Sequence, residues 1–103
     1  MELKLDTEKF DELQLILIEE IVQKIKIKLM EGGVTGEQLQ DLTGEIAFSI
    51  ASAIDDTAAI ESEGVEVRPY LTFRGNNNEI IHCGENSFTQ GDVYSMVKKL
   101  FAK

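Results

Sequence analysis

The longest apolar pattern in the chain, over residues 7–31, constrains the fold more than any other feature. Apolar residues recur there in alternating steps of three and four, which indicates a helix with a seam like that of a coiled coil. The seam consists of Leu15, Ile18, Val22, Ile25 and Leu29. A second apolar stripe lies beside the seam, and the two together cover roughly 200° of the helix. Thr7 is the predicted N-cap of this first helix.

A second helix is predicted over residues 35–62. Thr35 and Gln38 have the spacing of a capping box, in which a hydroxyl at the N-cap and an amide three residues later satisfy the first backbone N–H groups. Apolar and small residues then repeat on one face, and Gly64 is the expected stop. The short connection to the first helix predicts that the two helices pack antiparallel.

The rest of the chain predicts a hairpin and one more helix. Residues 65–83 alternate around a Gly-Asn-Asn-Asn loop, and Pro69 places the first strand at an edge. The hairpin register stays open between a three-residue and a four-residue loop, and so does a third strand from residues 1–6. A capping box over residues 87–90 opens the last helix.

The predicted fold is therefore a small single α+β domain over residues 1–103, in the order α-α-β-β-α. Two long helices, joined by the Glu31–Val34 turn, pack antiparallel, and a β-hairpin and a C-terminal helix cover one side of the pair. A chain of 103 residues has room for one hydrophobic core.

Composition excludes several functional classes. With 10 basic and 19 acidic residues, the net charge of −9 argues against direct binding to nucleic acid. A single Cys and a single His leave no zinc-binding spacing, so no metal and no cofactor are predicted. The chain holds no apolar run of about 20 residues and no signal-peptide pattern, so we expect a cytoplasmic protein without membrane contact.

The acidic residues are concentrated in the middle of the chain, where residues 31–66 contain no Lys or Arg. On the second predicted helix they fall on one face, together with a single aromatic residue, Phe48. An aromatic residue inside a polar rim is the usual anatomy of a protein–protein hot spot. The predicted partner-binding residues are therefore Phe48, Asp41, Glu45 and Asp55, and the predicted partner is a basic protein.

The hairpin carries a second polar face. Arg68, Tyr70 and Arg74 share it, and His82 joins them if the loop has three residues. Such a set could hold an anion or a small ligand. His82 and Cys83 are adjacent on a strand, so their side chains point to opposite faces and cannot act as a base and its nucleophile. No catalytic residue is predicted.

The apolar surface of the first helix is about twice as wide as one packing partner requires. We therefore predict a homodimer that uses the Leu15–Leu29 seam, the alternative being a central helix covered by the rest of its own chain. The leading functional hypothesis is a small, acidic, non-enzymatic interaction module or adaptor. The alternatives are an acidic mimic of nucleic acid that inhibits a basic nucleic-acid-binding protein, and a small-molecule-binding domain that uses the hairpin face.

Overall fold

Three helices and five short strands make up the fold in a computed structural model that describes residues 1–102. The helices are α1 (Thr7–Glu31), α2 (Gly36–Ile54) and α3 (Thr89–Leu100). The strands are β1 (Glu2–Leu5), β2 (Ile60–Ser62), β3 (Val65–Val67), β4 (Phe73–Arg74) and β5 (Glu79–His82). The predicted class is confirmed: this is a small single α+β domain with the expected α-α-β-β-α order.

The helices pack on one another around an apolar core. α1 and α2 are antiparallel, and α3 runs parallel to α1, because its first turn contacts Gln14 and its last carbonyl accepts a hydrogen bond from Lys26. The core residues are Ile18, Val22, Ala47, Ala51, Val93 and Met96. The small side chains of Ala47 and Ala51 on α2 let the neighbouring helices approach closely.

A mixed three-stranded sheet, in the order β1-β5-β4, packs on the N-terminal half of α1. Strand β1 is parallel to β5, and β4 is antiparallel to β5. The inner face of this mixed sheet carries Ile81 and Phe73, and the Phe73 ring lies 5.1 Å from the ring of Phe10 on α1. Residues 1–6 therefore do contribute a third strand, which the sequence left open.

Residues 7–31 form the predicted first helix over their full length. The predicted N-cap is wrong by one residue: the Asp6 carboxylate, not Thr7, accepts the hydrogen bond from the Lys9 backbone N–H at 3.0 Å. A carboxylate at this position satisfies a free N–H and also interacts favourably with the helix dipole.

The second helix is shorter than predicted, because α2 ends at Ile54 instead of residue 62. The chain then leaves the helix with a positive φ at Asp56, and residues 60–62 pair with β3 as a separate two-stranded hairpin. Glu63 and Gly64 both have positive φ in its turn. Two such residues form the type of turn that suits a tight hairpin, so Gly64 belongs to a strand connection and not to a helix end.

The predicted long hairpin over residues 65–83 is also divided in two. Residues 68–72 around Pro69 belong to no strand, since proline has no N–H to contribute to a ladder. Only β4 pairs with β5, with Phe73 opposite Ile81. This register leaves a three-residue loop over residues 76–78, one of the two that the sequence allowed.

The start of α3 depends on Asp55, the residue that follows the end of α2, in contrast to the predicted local capping box. The Asp55 carboxylate, 2% exposed, accepts hydrogen bonds from the backbone N–H groups of Thr89 and Gln90, both at 3.0 Å. It also accepts from the hydroxyls of Ser87 and Thr89, at 2.6 and 2.8 Å. A charged acceptor at a helix N-terminus makes strong hydrogen bonds and opposes the positive end of the dipole.

We predict that Asp55→Ala lowers the free energy of unfolding by about 3 kcal/mol, because it leaves several buried donors without an acceptor. Urea denaturation followed by circular dichroism measures the change. Asp41→Ala, which removes an exposed carboxylate from α2, is the matched control and should change stability by less than about 0.5 kcal/mol. Equal effects of the two substitutions would show that the capping interaction is not important for stability.

Candidate functional site

An open groove of about 770 Å³ runs between α2 and α3 on the side that carries Phe48. Its lining is mixed apolar and charged: Gln40, Asp41, Gly44, Glu45, Phe48, Ser49, Val93, Tyr94, Val97 and Lys98. Three of the four predicted partner-binding residues therefore line one groove. We call this the α2–α3 groove.

Two aromatic side chains, one from each helix, meet at the groove. The rings of Phe48 and Tyr94 lie 5.8 Å apart and are inclined by 56°, a favourable tilted geometry. Phe48 is half-buried and packs against the core, while Tyr94 is 69% exposed. Tyr94 therefore extends the apolar surface of Phe48 outward into solvent.

Gly44 on α2 is one of the residues that line the groove. A Cβ atom built at this position would lie 3.8 Å from a Val97 methyl group, an ordinary van der Waals contact. The absence of a side chain therefore does not serve helix packing, which would tolerate alanine. It leaves open space above Val97.

Charge is unevenly distributed around the groove. Asp41 and Glu45 are exposed on α2, one turn apart, while Lys98 lines the α3 side. Asp41 and Glu45 are like charges at i,i+4, which costs the isolated helix a few tenths of a kcal/mol. The acidic rim is therefore not explained by the stability of α2.

The fourth predicted partner-binding residue, Asp55, is corrected by the structure. Its carboxylate is buried and caps α3, so it has no surface with which to contact a partner. The neighbouring Asp56 is also engaged, because it accepts a hydrogen bond from Arg68 Nε at 2.8 Å. This hydrogen bond and the negative charge of Asp56 raise the pKa of Arg68.

The predicted ligand face on the hairpin is only partly assembled. Tyr70 Oη lies 3.1 Å from His82 Nδ1, and the register places Arg74 and His82 on the same, outer face of the mixed sheet. Arg68 forms an ion pair with Asp56 beside the β2–β3 hairpin. The structure therefore brings Tyr70 and His82 together, with Arg74 on the same face, while the guanidinium of Arg68 is engaged by Asp56.

The seam predicted to form a dimer interface lies mainly inside the chain's own fold. Ile18 and Val22 are buried in the core and contact α2 and α3, so both are corrected from interface to core residues. Ile25 packs against the same core, Leu29 is half-buried, and Leu15 remains 40% exposed. The central place of α1 between the two other helices and the mixed sheet covers part of its wide apolar surface. Leu15, Ile16, Ile27 and Met30 on α1 remain 40–57% exposed.

Over residues 1–102, no three Asp, Glu, His or Cys side chains form a group that could hold a metal ion, and no helix is both long and apolar enough to cross a membrane. No family model matches the chain, and neither a curated protein nor a solved structure matches it.

Sequence reasoning missed the α3 side of the groove. Tyr94 lies off the apolar stripe of α3 that includes Val93 and Val97. An aromatic residue outside the core face was the signal that singled out Phe48 on α2, and it could have identified Tyr94 as well. No comparable pattern in the sequence could have identified Gly44, because its role depends on the position of Val97 on another helix.

We predict that Gly44→Ala raises the free energy of unfolding by about 0.5–1 kcal/mol, since alanine is the better helix former and its methyl group fits above Val97. Thermal and urea denaturation measure the change. Gly75→Ala is a contrasting control, because a Cβ atom there would come within 2.9 Å of the Ile81 side chain, and it should destabilise the protein. A loss of stability in Gly44→Ala would contradict the conclusion that a methyl group fits at this position.

Proposed function

We propose that this chain is a small, acidic, non-enzymatic interaction module or adaptor, which acts as a homodimer and binds a basic partner in the α2–α3 groove. The observation that carries the proposal is the pair of Phe48 and Tyr94 within an acidic rim. Large aromatic side chains at the centre of a polar surface contribute much of the binding energy in protein complexes.

The shape of the groove favours a helical or extended segment as its ligand. The antiparallel helices α2 and α3, with Gly44 of α2 in the lining, leave an open depression between them. An amphipathic helix can insert its apolar face into such a depression. Phe48 and Val97 provide its half-buried apolar surface, and Tyr94 extends that surface outward.

Charge complementarity favours a basic partner. Asp41 and Glu45 border the apolar surface on the α2 side, where residues 31–66 contain no Lys or Arg. The positive charge that lines the groove is Lys98 on α3, and no ion pair joins it to Asp41 or Glu45 among the described residues. Opposite charges around an apolar contact increase the association rate and select against acidic competitors.

An acidic mimic of nucleic acid is a weaker alternative. That function requires carboxylates spread over an exposed surface at phosphate-like spacing. Asp55 is buried and Asp56 is paired with Arg68, so the acidic face of α2 offers fewer free carboxylates than its sequence suggests.

We predict that Tyr94→Ala weakens binding to a lysine-rich amphipathic helical peptide by about tenfold or more, because it removes the exposed half of the aromatic anchor. Fluorescence anisotropy with the labelled peptide gives the dissociation constant. Tyr70→Ala removes another exposed tyrosine outside the groove and serves as the control. If both variants bind as tightly as the wild type, the groove is not the binding site.

We predict that Glu45→Lys weakens binding of the same peptide about tenfold, because it places a like charge beside the bound lysines. Glu31→Lys alters the net charge equally at a residue that does not line the groove, and should change affinity less than about twofold because exposed charges in water interact weakly unless they are in contact. Equal losses in the two variants would indicate non-specific attraction to the net charge and would contradict a defined acidic rim.

A further inference from the structure

The outer edge of the mixed sheet presents an unpaired strand. Strand β1 bonds to β5 on one side only, and its Glu2 and Asp6 N–H groups donate to the carbonyls of Asn78 and His82. In a parallel ladder, alternate residues of a strand bond to the same neighbour. The N–H and C=O groups of Leu3 and Leu5 therefore point to the free edge.

The large apolar side chains at this edge of the sheet are mostly exposed to solvent. Met1, Leu3 and Leu5 are 61%, 71% and 65% exposed. Because Leu3 pairs with Ile80 and Leu5 with His82, both leucines lie on the outer face of the sheet, away from α1. Exposed strand edges of this kind readily pair with another strand.

The sequence of this strand is complementary to itself when read in the antiparallel direction. If a two-fold axis passes through Leu3, then Leu3 faces Leu3 of the second copy, and Glu2 faces Lys4 of the second copy. Met1 then faces Leu5 of the second copy. Every opposed pair is either apolar with apolar or acidic with basic.

The hydrogen-bonding direction agrees with this register. Because the backbone groups of Leu3 point to the free edge, the two copies of Leu3 can exchange both of their hydrogen bonds across the axis. The charged pairs fall on the inner face, where Lys4 Nζ already lies 3.8 Å from Glu79 Oε2. The apolar pairs fall on the outer face beside Ile80.

We infer that β1 is the homodimer interface, and that a second copy of this chain pairs with it antiparallel about Leu3 to form a six-stranded sheet. The inference rests on the homodimeric part of the proposed function and names its site. A two-fold dimer needs one self-complementary surface, and the alternation of Glu2, Leu3 and Lys4 provides one. An unrelated peptide strand would require the same pairing of charges by coincidence.

Analytical ultracentrifugation over a range of concentrations tests the inference. We expect the wild-type chain to dimerise, and Glu2→Lys to raise the dimer dissociation constant about tenfold or more, since the introduced lysine faces Lys4 of the second copy twice per dimer. Within one copy Glu2 faces Glu79, so the same substitution should not destabilise the monomer. Glu31→Lys is the control of equal charge and should leave the dimer unchanged.

Two further variants separate charge from backbone pairing. Combining Glu2→Lys with Lys4→Glu restores opposite charges in the proposed register and should restore the dimer. Leu3→Pro removes an N–H group that only the second copy would use, and should give a monomer whose circular dichroism keeps the helical signal of the wild type.

Each outcome bears on a different proposal. A dimer that is insensitive to Glu2→Lys and to Leu3→Pro would overturn the β1 interface while leaving homodimerisation in place. A wild-type chain that stays monomeric at high concentration would overturn both. Neither result affects the α2–α3 groove, whose tests measure peptide binding.

Discussion

The carboxylate of Asp55 determines where the third helix lies, and the candidate site depends on that placement. Asp55 follows directly after α2, and its oxygens accept from the first two backbone N–H groups of α3. Gln14 on α1 holds the same segment through the Phe88 N–H and the Asp92 carboxylate. The N-terminus of α3 is thus attached to both long helices, and the direction in which α3 leaves this point brings Tyr94 beside Phe48.

This dependence explains which parts of the fold could be predicted from the sequence. Helix α1 was predictable over its whole length because its apolar repeat is local and uninterrupted. The end of α2 was not predictable, because Asp55 is favourable at that position only through hydrogen-bond partners 32 to 35 residues later in the chain. The helical pattern in the sequence continues past Ile54, and it would be the same whether or not α3 is capped by the Asp55 carboxylate.

The candidate site was predictable to a similar extent. Phe48, Asp41 and Glu45 could be assigned to one face from helical spacing alone, and the structure places all three at the groove. The same spacing could not separate Asp55 from them, because a helical projection shows direction and not burial. For the same reason Ile18 and Val22 looked available to a partner, although they form the centre of the chain's own core.

The two proposed surfaces are compatible within one assembly. The groove is formed by α2 and α3, whereas the β1 edge belongs to the mixed sheet, and the two share no residue. A dimer joined through β1 would therefore use no residue of either groove. Two identical grooves held at a fixed separation bind a partner with two basic segments more tightly than either groove alone, provided that the partner spans the distance between them. Such a geometry would let a domain with a single modest groove act as an adaptor.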